Sequence, residues 1–355
     1  MARPSAQPLQ TRADELLYAA RKILNLAPGA RSYARMASAL LPCLTGAGCL
    51  YQAVATALDR RRYPPPGRFV KVDGAELHVN MTGQGSGPVV VLETGLGGMS
   101  SAWGWIQPEV ANFTGVVSYD RAGLGWSEPD GLPRTALHVA RSLRGLLHGA
   151  GIPGPYVLVG HSMGGLYLRF FADRYPEEVA GMVLIDAAHP DQHQRSPAIR
   201  RHMSSGFRML RSVPLLAKLG YVRMTGFFSS WAVGLPERPA AEAAAFLSSY
   251  SHLKTTRDES LAWDGICAEV RGTAGLGNKP LAVLSAGRDV LPGAPELQAD
   301  LAALSSRSIH FSVEGADHVT LVTHRQHAME VVDAIRRVVR AADDRGRLAG
   351  RFSPL

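Results

Sequence analysis

The chain has 355 residues, of which 46% are hydrophobic and 19% are charged. This composition supplies enough apolar side chains for a large folded core and excludes a mainly disordered chain. The formal net charge of +8 raises the question of nucleic-acid binding. Apart from the run at residues 60–62, however, the basic residues are scattered, with no zinc pattern and no aromatic–basic repeat. We therefore expect no nucleic-acid partner.

The cysteines also exclude two classes of protein. Cys43, Cys49 and Cys267 are odd in number, and the third lies far along the chain from the first two. Such spacing provides neither a disulfide framework nor a structural zinc site. We expect no bound metal.

The first segment, residues 1–67, differs in character from the rest of the chain. Residues 1–10 form a small, polar leader, and residues 36–58 contain no charged side chain. A run of that length is a candidate membrane helix, although its glycine, proline and alanine content favours a helix that lies on a membrane or docks on a core. The location is therefore either cytoplasmic or membrane-associated through residues 36–58. The proline run at 63–67 is stiff and predicts a linker, so we expect truncation before Pro64 to leave a folded domain.

A regular rhythm begins near Phe69. Two alternating stretches flank Asp73 and Gly74, which predicts a hairpin. Apolar runs that predict strands buried on both faces follow at residues 88–92, 116–119, 156–159, 182–185, 281–284 and 309–313. Helical patterns separate most of these runs. The predicted fold is α/β, with a mostly parallel central sheet covered by helices on both faces, over residues 68–342. A tail is expected at 343–355.

The rhythm is interrupted once, between Asp186 and Leu281. The intervening residues show helical rather than strand patterns. The stretch is far longer than the roughly 4–6 residues of an ordinary connection. We predict an inserted helical cap at about residues 188–276.

The strongest chemical signal is Gly-His-Ser-Met-Gly at residues 160–164, between an apolar run and a helical pattern. This pattern places Ser162 on a sharp, strained turn that projects its hydroxyl above the sheet. Gly160 and Gly164 allow the backbone to approach closely. The turn also aims the backbone N–H of Met163 at a developing oxyanion.

This turn, which we call the elbow, and the strand and helix predicted on either side of it resemble the α/β-hydrolase superfamily, in the branch that carries a helical cap. The resemblance extends from about Phe69 to Arg340. Residues 93–98 (Glu-Thr-Gly-Leu-Gly-Gly) match the family's oxyanion loop, which implies a second donor at the N–H of Leu96, although many relatives have histidine in place of Thr94. Residues 119–127 resemble the family's next turn, for which we expect a structural role beneath the site.

The family's chain order, serine, then acid, then histidine, implies the remaining catalytic residues. Asp289 follows the strand at 281–284 and is the expected acid, with Asp186 as the alternative. His318 follows the strand at 309–313 and is the expected base. We expect other candidates to lie outside the chemistry: His161, His310, His324, His327 and Asp317.

A serine nucleophile favours attack on acyl carbonyls, whereas relatives with aspartate at this position act on epoxides and haloalkanes. The predicted activity is hydrolysis of a carboxylic ester, or a related acyl bond, through an acyl-enzyme, without a cofactor. Dense apolar residues at 207–233 favour a small-molecule substrate with an apolar acyl group.

Three alternatives stay open at this point. One is an aminopeptidase of the proline-aminopeptidase type, with acids at Glu237, Glu242, Asp258 and Glu259 available for the substrate amine. Another is a non-catalytic ligand-binding protein on the same fold. The third is a lipid hydrolase anchored by residues 36–58.

Overall fold

A computed structural model describes residues 28–85 and 87–350. The predicted leader at residues 1–10 and the last part of the predicted tail, residues 351–355, lie outside this range. The chain divides between Tyr51 and Gln52 into two compact units, and the sheet lies within the second unit.

Eight strands form one sheet in the order β1-β2-β4-β3-β5-β6-β7-β8. Their bounds are β1 Arg68–Val72, β2 Ala75–Thr82, β3 Val89–Glu93, β4 Val116–Tyr119, β5 Tyr156–His161, β6 Val179–Ile185, β7 Leu281–Ala286 and β8 Ser308–Val313. Strand β2 pairs antiparallel with β1 and β4, and all other pairs are parallel. The predicted fold class is confirmed.

The hairpin between β1 and β2 forms as predicted. Asp73 and Gly74 both have positive φ values, 49° and 90°. A two-residue turn of this kind matches the right-handed twist of the flanking strands.

Helices cover both faces of the sheet. The helices of the described residues, including those that lie outside these two layers, are α1 Pro28–Arg62, α2 Ile106–Ala111, α3 Ala136–Gly149, α4 Gly164–Arg174, α5 Gln192–Arg195, α6 Pro197–Leu210, α7 Val213–Lys218, α8 Tyr221–Thr225, α9 Glu237–Phe246, α10 Tyr250–Arg271, α11 Ala294–Ala302, α12 Thr320–Thr323 and α13 Arg325–Gly350. Short 3-10 turns lie at Ser100–Trp103, Pro176–Glu178 and Ser229–Ala232. Helix α13 continues past residue 342, where the tail was expected to start.

Strand β5 shows how the two faces are filled. Leu158 belongs to the apolar cluster that includes Leu146 and Phe171, from α3 and α4. Its neighbour Val159 belongs to the opposite cluster, with Ile335 of α13. Successive side chains of a strand point to opposite faces, so a continuous apolar run fills both layers.

Helices α5 to α10 are inserted between β6 and β7, within the region predicted as a cap. The last part of α1 packs with this insertion. The Gln52 side chain donates to the Ser248 carbonyl at 3.1 Å, and Arg223 pairs with Asp59 at 2.6 Å. The Trp126 indole donates to the Tyr63 carbonyl at 2.9 Å. The contacts of the second unit therefore begin well before the proline run.

Across residues 28–85 and 87–350, no helix has both the length and the apolarity needed to cross a membrane.

Candidate active site

Ser162 occupies the turn between β5 and α4. Its φ is +53°, a left-handed conformation that costs free energy for a residue with a side chain. A Cβ atom at Gly160 would lie 2.8 Å from the Gly165 nitrogen, and one at Gly164 would lie 2.5 Å from the Glu93 carbonyl oxygen. Only glycine fits these two positions, so the motif's glycines hold the strained serine in place.

Ser162, His318 and Asp186 form a continuous hydrogen-bonded chain. His318 Nε2 lies 3.0 Å from Ser162 Oγ, and His318 Nδ1 lies 2.6 Å from Asp186 Oδ2. His318 lies in the loop between β8 and α12, and Asp186 directly follows β6. This places a base on the serine and a carboxylate on the far side of the ring.

The expected acid, Asp289, is not part of this chain. Its side chain is 77% exposed, and its Oδ2 lies 3.4 Å from Nε of its neighbour Arg288. The structure corrects the choice of acid to Asp186 because β6 lies beside β5, whereas β7 is one strand further away. With a φ of +41°, Asp186 turns back toward the elbow, and its other oxygen accepts from the Ala286 N–H at 3.2 Å.

The charges around His318 favour its protonated form. Neighbouring groups partly desolvate the ring, whose side chain is still 47% exposed, but the hydrogen bond and the charge of Asp186 outweigh this effect and raise the pKa of His318 from 6.5. Burial likewise opposes ionisation of Asp186, yet His318 lowers the pKa of that carboxyl below 3.8. Asp186 is therefore the ionised partner that stabilises an imidazolium at His318.

His161 stands against His318 but has a different role. Burial and the nearby His318 lower the pKa of His161 to about 3. The neutral ring donates from Nε2 to the His318 carbonyl at 2.9 Å, and the two ring centroids are 4.7 Å apart. His161 thus supports the loop that carries His318, and the structure leaves it outside the Ser162 contact as expected.

The loop after β3 approaches Ser162 closely. A Cβ atom at Gly95 would lie 2.9 Å from Ser162 Cβ, so only glycine permits this approach. Among the described residues, no acceptor faces the backbone N–H of Leu96 or of Met163. Both predicted oxyanion donors lie on the two segments that flank Ser162.

A buried ionic network that sequence reasoning missed holds this loop. The Arg121 guanidinium pairs with Glu93 and with Glu259 of α10, and it donates to the carbonyls of Thr94 and Gly95 at 2.9 and 2.7 Å. Glu259 Oε2 accepts from the Gly97 N–H at 3.0 Å. Burial opposes the charge, but the two carboxylates raise the pKa of Arg121. The available signal was a charged residue at or near the end of each of two buried strands, Glu93 as the last residue of β3 and Arg121 two residues after β4.

A second contact ties the insertion to the same loop. His252 accepts from the Gly125 N–H at 3.0 Å through Nδ1 and donates through Nε2 to the Gly97 carbonyl at 2.8 Å. Burial lowers the pKa of His252, consistent with the neutral ring that this pattern requires. Helix α10 therefore contacts both the N–H and the carbonyl of Gly97.

The remaining candidates lie outside the serine contact. His310 Nε2 forms a hydrogen bond with Ser285 Oγ at 2.8 Å, and the rings of His324 and His327 stack with centroids 6.1 Å apart. Asp317 pairs with Arg288 and accepts from the Thr320 N–H at 2.9 Å, as expected of a loop residue.

The acids considered for an aminopeptidase do not share one function. Glu242 pairs with Arg238 at 2.9 Å and accepts from Ser101. Asp258 pairs with Lys254 and Arg257 at the surface, and Glu259 is committed to Arg121. Each of these three carboxylates already has a cationic partner within the protein.

A family model described as the alpha/beta hydrolase fold matches residues 88–324. The match covers more than half of the chain, and the chain belongs to this family.

Curated relatives match only in part. The chain is 33% identical over 120 residues to the uncharacterized protein YqjL of Bacillus subtilis, covering 34% of this chain and 47% of that protein. It is 34% identical over 148 residues to a probable transporter, efuK, of Hormonema carpetanum, covering 40% of this chain and 21% of that protein. It is 29% identical over 218 residues to an uncharacterized protein of Schizosaccharomyces pombe, covering 60% of this chain and 39% of that protein. The matches thus span less than half the length of each relative.

Solved structures share the fold. A putative epoxide hydrolase from Pseudomonas aeruginosa superposes with a TM-score of 0.65 at 18% identity, covering 77% of this chain and 96% of the other. A putative ancestral haloalkane dehalogenase gives a TM-score of 0.61 at 18% identity, covering 78% and 99%.

Proposed function

We propose that the protein is a serine hydrolase that cleaves carboxylic esters, or closely related acyl bonds, through an acyl-enzyme on Ser162. The observation that carries the proposal is the chain of contacts from Ser162 Oγ to His318, 3.0 Å, and from His318 to Asp186, 2.6 Å. A serine with a histidine base and an orienting carboxylate is the arrangement that activates a hydroxyl for attack on acyl carbonyls.

Each residue has a defined task in this reaction. His318 Nε2 accepts the proton as Ser162 Oγ bonds to the acyl carbon. The negative charge that develops on the carbonyl oxygen is stabilised by the N–H groups of Met163 and Leu96. His318 then protonates the departing alcohol, and water activated by the same ring releases the acid. Asp186 holds the ring in the required tautomer and stabilises its charge.

The residue at the elbow also separates this proposal from the activities named for the structural neighbours. The neighbours' titles name an epoxide hydrolase and a haloalkane dehalogenase. Relatives that act on those substrates carry aspartate at the elbow, and this chain carries Ser162. We therefore propose acyl substrates, with no metal or cofactor in the reaction.

The side chains next to the site favour an apolar acyl group. Half-buried Leu96 packs both against the cluster of Met163 and Trp263 and against that of Leu210 and Phe228. These two packed clusters place apolar side chains beside Leu96 and Met163, the residues that would flank a bound acyl group. Since three of the four acids considered for an amine substrate are paired, an ester fits better than an N-terminal peptide bond.

Labelling with a fluorophosphonate probe tests the proposal. The wild-type protein is expected to form a covalent adduct that mass spectrometry locates on Ser162, and Ser162→Ala is expected to lose both the adduct and ester hydrolysis. Ser285→Ala is the matched control, because Ser285 also bonds a histidine, His310, at 2.8 Å but lies outside the triad. Labelling that persists in Ser162→Ala, or that disappears in Ser285→Ala, contradicts the proposal.

A further inference from the structure

The charge of the insertion is markedly asymmetric. Residues 192–236 contain no aspartate or glutamate. The same stretch carries seven basic residues: Arg195, Arg200, Arg201, Arg208, Arg211, Lys218 and Arg223. Arg195 and Arg223 pair with Asp300 and Asp59. Among the described residues the other arginines of this stretch form no ion pair, and they are exposed. This part of the molecule therefore presents unneutralised positive charge.

The same segment exposes large apolar side chains. Within residues 213–233, Val213, Ala217, Val222 and Phe228 face inward and are buried. The same stretch exposes seven large apolar side chains: Leu215, Leu216, Tyr221, Met224, Phe227, Trp231 and Val233. We call these seven the outer surface of the insertion. Three of them are aromatic, and exposed fractions of 50% for Phe227 and 52% for Trp231 show how far these rings face solvent.

We propose that the outer surface of the insertion docks on an anionic phospholipid bilayer. Apolar and aromatic side chains enter the boundary between headgroups and acyl chains, and neighbouring Lys and Arg residues are attracted to anionic headgroups. Trp and Tyr are enriched at this depth because each has an apolar body and a polar group. Arg208 and Arg211 precede the seven apolar residues in the chain, Lys218 lies among them, and these three residues supply the charge. The complete absence of acid over residues 192–236 removes the repulsion that such a surface would otherwise meet.

The proposed contact differs from the membrane segment expected at residues 36–58. It uses short helices of the insertion and requires no helix that spans the bilayer. It is also independent of the proposed enzymatic activity, because binding is measured without substrate.

Flotation with lipid vesicles tests the charge component. The full chain is expected to bind vesicles of phosphatidylcholine mixed with phosphatidylserine, to bind poorly to phosphatidylcholine alone, and to dissociate at high salt. Each basic residue near an anionic surface contributes about a fivefold change in affinity, so Arg208→Ser with Arg211→Ser is expected to weaken binding about 30-fold. The matched control is Arg337→Ser with Arg340→Ser, two exposed arginines on α13, which are expected to leave binding unchanged.

Brominated lipids test the apolar component. Of the five tryptophans, Trp103, Trp126 and Trp263 are buried, and Trp231 is the one whose side chain is largely exposed. Bromine on the upper acyl chain is expected to quench fluorescence in the wild type, and the conservative variant Trp231→Phe is expected to lose most of this quenching. Phe227→Ser is expected to weaken binding about tenfold, while Leu261→Ser, an exposed apolar site elsewhere, is not. Thermal melting confirms that each variant is folded.

Three results would overturn the proposal. The first is equal affinity for the two kinds of vesicle. The second is the absence of quenching that depends on Trp231. The third is a dimer in sedimentation velocity that Phe227→Ser dissociates, which would assign the outer surface to a second copy of the chain.

Discussion

At the scale of single residues, the acid beside His318 is expected to decide both the rate and the pH range of the proposed reaction. Asp186 touches His318, whereas Asp289 is exposed and paired with its neighbour. Asp186→Asn is expected to lower kcat/KM by about 10⁴, because the histidine loses its orienting partner. Asp289→Asn, the matched control, is expected to have a kcat/KM close to that of the wild type. Steady-state kinetics on an activated ester measure both, and the reverse ranking would restore Asp289 as the acid.

The pH dependence follows from the same contact. His318 must be neutral to accept the serine proton, and Asp186 raises its pKa above 6.5. The value of kcat/KM is therefore expected to fall as pH decreases through a single ionisation above 6.5. In Asp186→Asn the carboxylate charge is lost, so the residual activity is expected to fall only at lower pH. If kcat/KM falls at the same pH in the wild type and in Asp186→Asn, the ionisation belongs to another group.

At the scale of elements, helix α10 and the loop after β3 act as one unit. Glu259 binds both Arg121 and the Gly97 N–H, in the loop that carries a predicted oxyanion donor. Glu259→Gln removes one partner of a buried charge and is expected to lower stability by about 3 kcal/mol. A displaced loop is also expected to reduce kcat/KM about tenfold with little change in KM.

The adjacent residue of the same helix provides the control. Asp258 pairs with Lys254 and Arg257 at the surface, where such pairs contribute about 0–1 kcal/mol. Asp258→Asn is therefore expected to change neither melting nor kinetics appreciably. If the two substitutions have equal effects, the network around Arg121 does not position the loop.

The end of helix α1 is a second element whose role the structure changes. Gln52 forms a hydrogen bond with the insertion and Asp59 forms an ion pair with it, so these residues contribute to the stability of the second unit. A chain that begins at Gln52 is expected to have a free energy of unfolding close to that of the full-length protein. In a chain that begins at Pro64, the free energy of unfolding is expected to be lower by about 2–4 kcal/mol. Urea unfolding of the two truncated proteins measures the difference. Equal midpoints would support the earlier expectation that the folded part begins at the proline run.

At the scale of the whole molecule, the insertion and the sheet share buried contacts instead of meeting at a loose boundary. Glu259 and His252 bond to the Gly97 segment, and Trp263 packs with Met163 beside the elbow. Such shared contacts predict that the two parts unfold together. Urea curves followed by tryptophan fluorescence and by far-ultraviolet circular dichroism are expected to coincide. An insertion that melts first would separate the curves.

The sequence by itself determined the fold and the strained turn that carries Ser162. Buried parallel strands are continuous apolar runs, and the strained turn at Ser162 permits only glycine at 160 and 164, so both leave local patterns. His318 could also be identified, because it follows the last strand in the expected chain order.

Only the tertiary structure decided which acid reaches His318 and which residues hold the loop after β3. Asp186 and Asp289 both follow a buried strand, and their local sequences do not show which strand lies beside β5. The answer depends on strand order and on the left-handed turn at Asp186. Glu259 lies 138 residues from Arg121 in the chain, and no local pattern reports a contact formed between an inserted helix and a loop. Contacts between distant segments depend on packing, and packing is a property of the folded chain.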